Sequence, residues 1–302
     1  MISLQQVLNS SLSLRVVSAL ARILSPRAGY RVAELVAQHL ARQRDSQVVR
    51  AVRANQWVIR GEPSRGETLD GAVAETLQHA ARCIFDLYHY MTRPDAAGQR
   101  IVLEPSFQQL LQRPEFDRRG LIIIGLHMSN FDLVLHWVSN QGLRPLAVTI
   151  PNPQGGRRME YEMRKRMGIT LLPASVGALT QAIKHLQKGG MVLTGMDRPI
   201  SNPEVCPLFF GRPSALPLHH IFLAIKARVP LAVAVTNLQQ DGKYHVSLSD
   251  EIEVDQHSDL RLGLLRNGEQ LLEAAEPLIR QFPGQWSVPL PVWPQLMELV
   301  PQ

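Results

Sequence analysis

From residue 100 onward, short apolar runs alternate with helix-patterned segments, and this alternation limits the fold more than any other feature of the chain. Candidate strands fall at 101–103, 121–125, 146–150, 169–172, 191–195, 231–236 and 244–248. Between or after them lie helical segments at 107–113, about 130–141, 157–168, 176–188, 215–228 and 259–281. Strands separated by helices predict an α/β fold with a mainly parallel central sheet flanked by helices. In such sheets chemistry gathers just beyond the carboxyl ends of the strands. Two places qualify: His127 after the run 121–125, and Asp197-Arg198 after 191–195.

The stretch LIIIGLHMSNFDL, residues 121–133, is the most informative of these. Five largely apolar residues read as a buried strand. His127 then sits in a turn. Ser129 is placed to cap a helix, with Asp132 completing a Ser-x-x-Asp capping pattern. Inside one helix, positions five apart diverge by about 140°, but a histidine in the preceding turn escapes that limit. Asp132 is therefore expected to reach the imidazole, fix its tautomer and stabilise the imidazolium, which makes His127 a general base for a hydroxyl. The bland alternative is a polar turn residue. The same His-x4-Asp spacing recurs at His245 to Asp250, where an alternating strand pattern gives an ordinary strand histidine.

The first 95 residues have a different texture. Helices are expected at 10–24, 31–44, 47–60 and 68–90, so the chain divides into a helical region, 1–95, and an α/β region, 96–302. The formal net charge is +6, yet residues 1–66 hold ten arginines, no lysine and three acids. That segment carries +7 and leaves the rest near −1. A basic amphipathic start attracts an anionic surface; the other reading is a helix hairpin with a solvated arginine face.

Several classes drop out. Two cysteines, Cys83 and Cys206, make no disulfide framework and no metal pattern. His219-His220 looks like a metal pair, but no acid or cysteine lies at ligand spacing, and the pair reads as helix residues. There is no Gly-x-Ser-x-Gly elbow for a serine hydrolase, no GxGxxG and no Walker A. The aromatics are not interleaved with the arginines as a nucleic-acid surface requires. No cleavable signal peptide and no apolar run of about 18 residues appears.

GLHMSNFD, then Arg164 in YEMRKRMG, then GGMVLTGMDRP, then PLFFGRPSALPLHH follow in order. RANQW near Asn55 precedes them and PGQW near Trp286 follows. Together they resemble the lysophospholipid acyltransferase superfamily, and more closely its branch of bacterial lipid A and phosphatidylinositol mannoside acyltransferases. The resemblance implies transfer of a fatty acyl group from an acyl thioester to a hydroxyl of a membrane glycolipid or phospholipid, without an acyl-enzyme. His127 would be the base and Asp132 its orienting acid. Asn130, Arg164, Asp197, Arg198, Phe210 and Gly211 would bind substrate, Phe210 and Gly211 in a turn lining the acyl cleft. Acyl-CoA or acyl carrier protein would be the donor, with no cofactor, metal or nucleic acid. The protein would sit on the cytoplasmic face of the cell membrane, peripheral or monotopic. Arginines interrupt the N-terminal anchor usual in lipid A acyltransferases, which favours peripheral attachment to an anionic surface. The Trp-x-His-Arg-Arg-Trp character expected after PGQW is replaced by WSVPLPVWPQ. The acceptor is therefore widened to a glycolipid or lysophospholipid. A thioesterase or esterase-type hydrolase using the same His127 is the alternative reading.

Overall fold

The computed structural model describes residues 11–301 apart from 62–65, 115, 144, 150–157, 159–160, 163 and 166–168. Its strands are β1 (Ile101–Leu103), β2 (Leu121–Gly125), β3 (Leu146–Thr149), β4 (Thr170–Pro173), β5 (Met191–Gly195), β6 (Leu208–Phe209), β7 (Arg212–Pro213), β8 (Leu231–Leu238) and β9 (Tyr244–Leu248). Its helices are α1 (Ser11–Ile23), α2 (Pro26–Ala41), α3 (Gln47–Ile59), α4 (Gly66–Tyr90), α5 (Pro94–Gly98), α6 (Pro105–Gln112), α7 (Phe131–Asn140), α8 (Val176–Gln187), α9 (His219–Ala227) and α10 (Leu260–Gln281).

Seven strands form one sheet in the order β1-β9-β8-β2-β5-β3-β4. Neighbours run parallel except β8 and β9, which are antiparallel. The expected mainly parallel α/β sheet is thus present. β2 occupies the middle, and its side chains alternate between two cores as strand geometry demands. Ile122 and Ile124 enter one core with Trp57 of α3, Ala182 of α8, Leu223 of α9 and Leu271 of α10. Leu121 and Ile123 enter the opposite core with Leu87 of α4, Phe107 of α6 and Leu133 of α7. A strand buried on both faces reads as a continuous apolar run, which is why 121–125 shows no alternation.

Two expected helix starts shift. α2 begins at Pro26 rather than at Arg31, because the Ser25 side chain caps it by accepting from the Ala28 N–H and a proline is tolerated at the first helical position. α9 begins at His219 rather than near residue 215. The peptide before it is extended, because Ala215 donates its N–H to the Val292 carbonyl and accepts from the Ile200 N–H. Leu216 also precedes Pro217, which disfavours helical backbone there. The expected helix 157–168 lies largely outside the described residues, although Arg158, Tyr161, Glu162, Arg164 and Lys165 are helical.

The N-terminal helices are tied to the rest. Ala37 of α2, Val49 and Val52 of α3, and Val73 and Leu77 of α4 share one cluster. Buried Asp86 of α4 accepts from the hydroxyls of Tyr30 on α2 and Tyr244 on β9. Part of the arginine excess is consumed internally: Arg53 is buried against Asp70 and the Pro301 carbonyl, and Arg50 and Arg60 pair with Glu298 and Glu75. Arg22, Arg27 and Arg31 remain exposed. Beside them Val16, Leu20, Ile23, Val32, Leu35 and Val36 of α1 and α2 stand exposed. Among the described residues, no helix is long and apolar enough to cross a membrane.

Candidate active site

β2 and β5 are parallel neighbours, and Gly125 pairs with Gly195 at their carboxyl ends. Each chain then continues for one apolar residue and places a polar one: Leu126-His127 from β2, Met196-Asp197 from β5. Parallel strands in register therefore bring His127 and Asp197 together. The imidazole Nδ1 lies 2.7 Å from Asp197 Oδ1. Asp197 Oδ2 accepts two further hydrogen bonds, from the His127 backbone N–H at 2.8 Å and from the Trp286 indole N–H at 2.8 Å. Asp197 is fully buried. Burial alone would raise its proton affinity, but the facing imidazole and the bonds from His127 and Trp286 outweigh it and hold the carboxyl below the usual carboxylate range. An ionised acceptor on Nδ1 leaves Nε2 as the ring nitrogen for a bound hydroxyl.

Asp132 does not orient His127. Its Oδ1 accepts from Arg164 Nη2 at 2.6 Å, while the imidazole Nδ1 is taken by Asp197. The helix starts one residue later than the capping pattern implied. Asn130 is the N-cap, its side chain accepting from the Leu133 N–H at 3.3 Å. Ser129 instead turns the chain at φ 51°, its hydroxyl 3.0 Å from His79 Nε2. Asn130 also donates its amide to the Cys83 carbonyl at 3.0 Å, so both ends of that side chain are engaged in hydrogen bonds within the fold.

An apolar cleft of about 590 Å³ opens beside the imidazole, within the range of clefts that hold a small molecule. Val148 of β3, Leu193 of β5, Leu135 of α7, Leu179 of α8 and Leu290 form much of its wall, and Arg164, Arg198 and Tyr161 border it. His219 and Thr194 form a polar pair in that wall, 2.7 Å apart. Burial pushes the His219 imidazole down to about 4, so it is neutral near pH 7. Phe210 and Gly211 are absent from the wall. Both have positive φ, 51° and 71°, as the central pair of the β6–β7 hairpin turn. Phe210 packs against Phe209 and Trp293 under the Arg280 guanidinium. The Phe210 ring thus packs against the core cluster from the hairpin turn.

Sequence reasoning missed Trp286 and the segment around it. Ser129 N–H donates to the Gln285 carbonyl at 2.8 Å, and Ser287 N–H to the His127 carbonyl at 3.2 Å. The Gln285 amide holds both backbone groups of Leu238 on β8. Asn55 of α3 donates to the carbonyls of Val288 and Leu290 and accepts from the Val292 N–H, and Gln56 donates to the Pro283 carbonyl. The signal was visible as the two amide-and-tryptophan segments, RANQW and PGQW, whose polar residues inside apolar surroundings need buried partners.

Set beside known families, residues 10–293 match the model described as bacterial lipid A biosynthesis acyltransferase. No curated protein matches the chain.

Proposed function

The chain belongs to the bacterial lipid A biosynthesis acyltransferase family, and from that membership we propose that it moves a fatty acyl group from a thioester to a hydroxyl of a membrane lipid, with His127 as general base and Asp197 as its partner. That it is an acyltransferase of lipid biosynthesis follows from the family; donor, acceptor and residue roles are the proposal. The observation that carries it is the His127–Asp197 pair opening onto an apolar cleft. The acceptor hydroxyl gives its proton to Nε2 while its oxygen bonds to the thioester carbonyl carbon, and the carbonyl electrons move onto oxygen. The start of α7 beside the imidazole supports stabilisation of that oxyanion through its backbone N–H groups and dipole. Collapse breaks the C–S bond, and the leaving sulfur takes the proton from the imidazolium. An ester and a free thiol, of CoA or acyl carrier protein, result. Asp197 stabilises the imidazolium between these steps.

The acyl chain lies in the cleft, with Arg164 and Arg198 near the phosphates of donor or acceptor. Arg164, held by Asp132, belongs to this binding wall. The exposed apolar face of α1 and α2, flanked by Arg22, Arg27 and Arg31, supports peripheral attachment to an anionic membrane on its cytoplasmic side. The test uses the purified protein with radiolabelled palmitoyl-CoA and micelles of bacterial total lipid. His127→Ala is expected to abolish both lipid labelling and thiol release. Retained labelling in that variant removes His127 as the base, and wild-type thiol release that ignores the lipid acceptor makes the protein a hydrolase.

A further inference from the structure

We infer that Trp286 is a positioning residue for acyl transfer: its indole N–H fixes one oxygen of Asp197 so that the other meets the His127 ring. The inference rests on His127 acting as the base. A carboxylate on a short side chain can rotate, and Asp197 has two oxygens with different duties. Oδ1 faces the imidazole, while Oδ2 takes the His127 backbone N–H and the Trp286 indole N–H. Without the indole, Oδ2 keeps a single donor.

The indole itself is immobilised. Trp286 is 1% exposed and packs edge-on against Phe209 and Trp293, with ring centroids 6.1 and 6.3 Å away. Its backbone bridges to Met128 within the His127 turn, and its neighbours Gln285 and Ser287 bond to that turn on either side. The aromatic cluster does not itself demand an indole donor: the buried Trp293 N–H beside it has no hydrogen-bond partner among the described residues. Ring packing and N–H donation are separable duties, and in Trp286 the second is aimed at a buried carboxylate. Donation to a charged acceptor stabilises its ionised form and weakens its hold on a neighbouring proton. Trp286 therefore sets how strongly Asp197 retains the imidazolium proton. The other titratable groups around the pair stay as they are when the indole N–H is removed: Arg164 with Asp132, Tyr161, Arg198 and His219 at the cleft, and His79 with Cys83 behind the turn.

Trp286→Phe keeps a ring and deletes the donor. With palmitoyl-CoA and total-lipid micelles, kcat should fall roughly 10- to 100-fold, the range for losing a bond to a buried charge. KM for palmitoyl-CoA should stay within about twofold, since the lost interaction is not with the donor. The acid limb of the kcat profile should move to higher pH, because an unshared carboxylate holds the imidazolium proton longer. In the double variant with Asp197→Asn, the Trp286 loss should vanish, as expected of two groups acting as one unit. An unmoved acid limb, a loss confined to KM, or losses that multiply in the double variant overturn the inference. If Trp286→Phe fails to fold, the wild-type protein decides. One of its four indole N–H resonances should titrate with the midpoint of the acid limb, and none doing so refutes the assignment. Activity surviving in His127→Ala sinks the base itself. A dead His127→Ala with an unchanged Trp286→Phe profile sinks the positioning role alone.

Discussion

Replacing Asp197 by Asn keeps the shape of the side chain but reverses what its buried end can give. Two donors, the His127 backbone N–H and the Trp286 indole N–H, converge on Oδ2. The amide oxygen of Asn must therefore take that place, which turns the amide NH2 toward the imidazole Nδ1. A neutral imidazole that accepts at Nδ1 carries its proton on Nε2, and then cannot take one from the acceptor hydroxyl. Loss of an orienting carboxylate by this route costs about 10³- to 10⁴-fold in kcat, on the order of 4–5.5 kcal/mol of barrier. Asp132→Asn breaks a different contact. Its ion pair with Arg164 leaves the two side chains 18% and 23% exposed, and partly solvated pairs contribute on the order of 1 kcal/mol or less. That variant should keep kcat within about tenfold and act mainly on KM. The assay is release of CoA thiol from palmitoyl-CoA in the presence of total-lipid micelles, with saturation curves for each variant at neutral pH. The reasoning fails if Asp132→Asn is the more damaging to kcat, or if Asp197→Asn keeps more than about a tenth of wild-type turnover.

Gly195 is a second point of leverage, because a Cβ there would sit 3.3 Å from His127 Cε1. Gly195→Ala should displace the ring by a few tenths of an ångström and lower kcat on the order of tenfold, with a melting temperature near wild type; full activity would mean the ring has slack. Changing Arg22, Arg27 and Arg31 to Gln should weaken binding to anionic vesicles by about 1 kcal/mol per charge, on the order of a hundredfold in all, measured by vesicle sedimentation at fixed salt. Unchanged sedimentation removes that face from the membrane. Acid should destabilise the fold early. Burial holds His219 and His79 down to about 4, against 6.5 when unfolded. Between those values the unfolded chain binds more protons. Stability is full above about pH 6.5 and falls as pH drops through 4, and Asp197, held low in the fold, adds its loss at still lower pH. Denaturant titrations at pH 7 and 5 should show a drop on the order of a few kcal/mol, smaller in His219→Gln; equal midpoints would show the two imidazoles charge without penalty.

The sequence by itself determined the sheet. The buried runs that became β2, β5 and β8 are apolar on both faces, and a doubly buried strand needs little beyond burial to declare itself. It also determined that His127 lies just past a strand, since it is the first polar residue after the apolar stretch 121–126. Which acid serves that histidine was decided only in three dimensions. Asp132 is five residues away in the chain, and Asp197 is seventy. The parallel pairing of Gly125 with Gly195 sets the distant one against the ring, while the late helix start at Asn130 gives the near one to Arg164. The roles of Asn55, Gln285 and Trp286 were equally hidden, because Asn55 reaches the Val288 carbonyl 233 residues away, Trp286 reaches Asp197 89 residues away, and the Gln285 carbonyl meets Ser129 from the far end of the chain. Local patterning reports which face of an element is buried. It carries no record of what a polar group at the end of that element will meet, because that depends on which strands become neighbours and at what register.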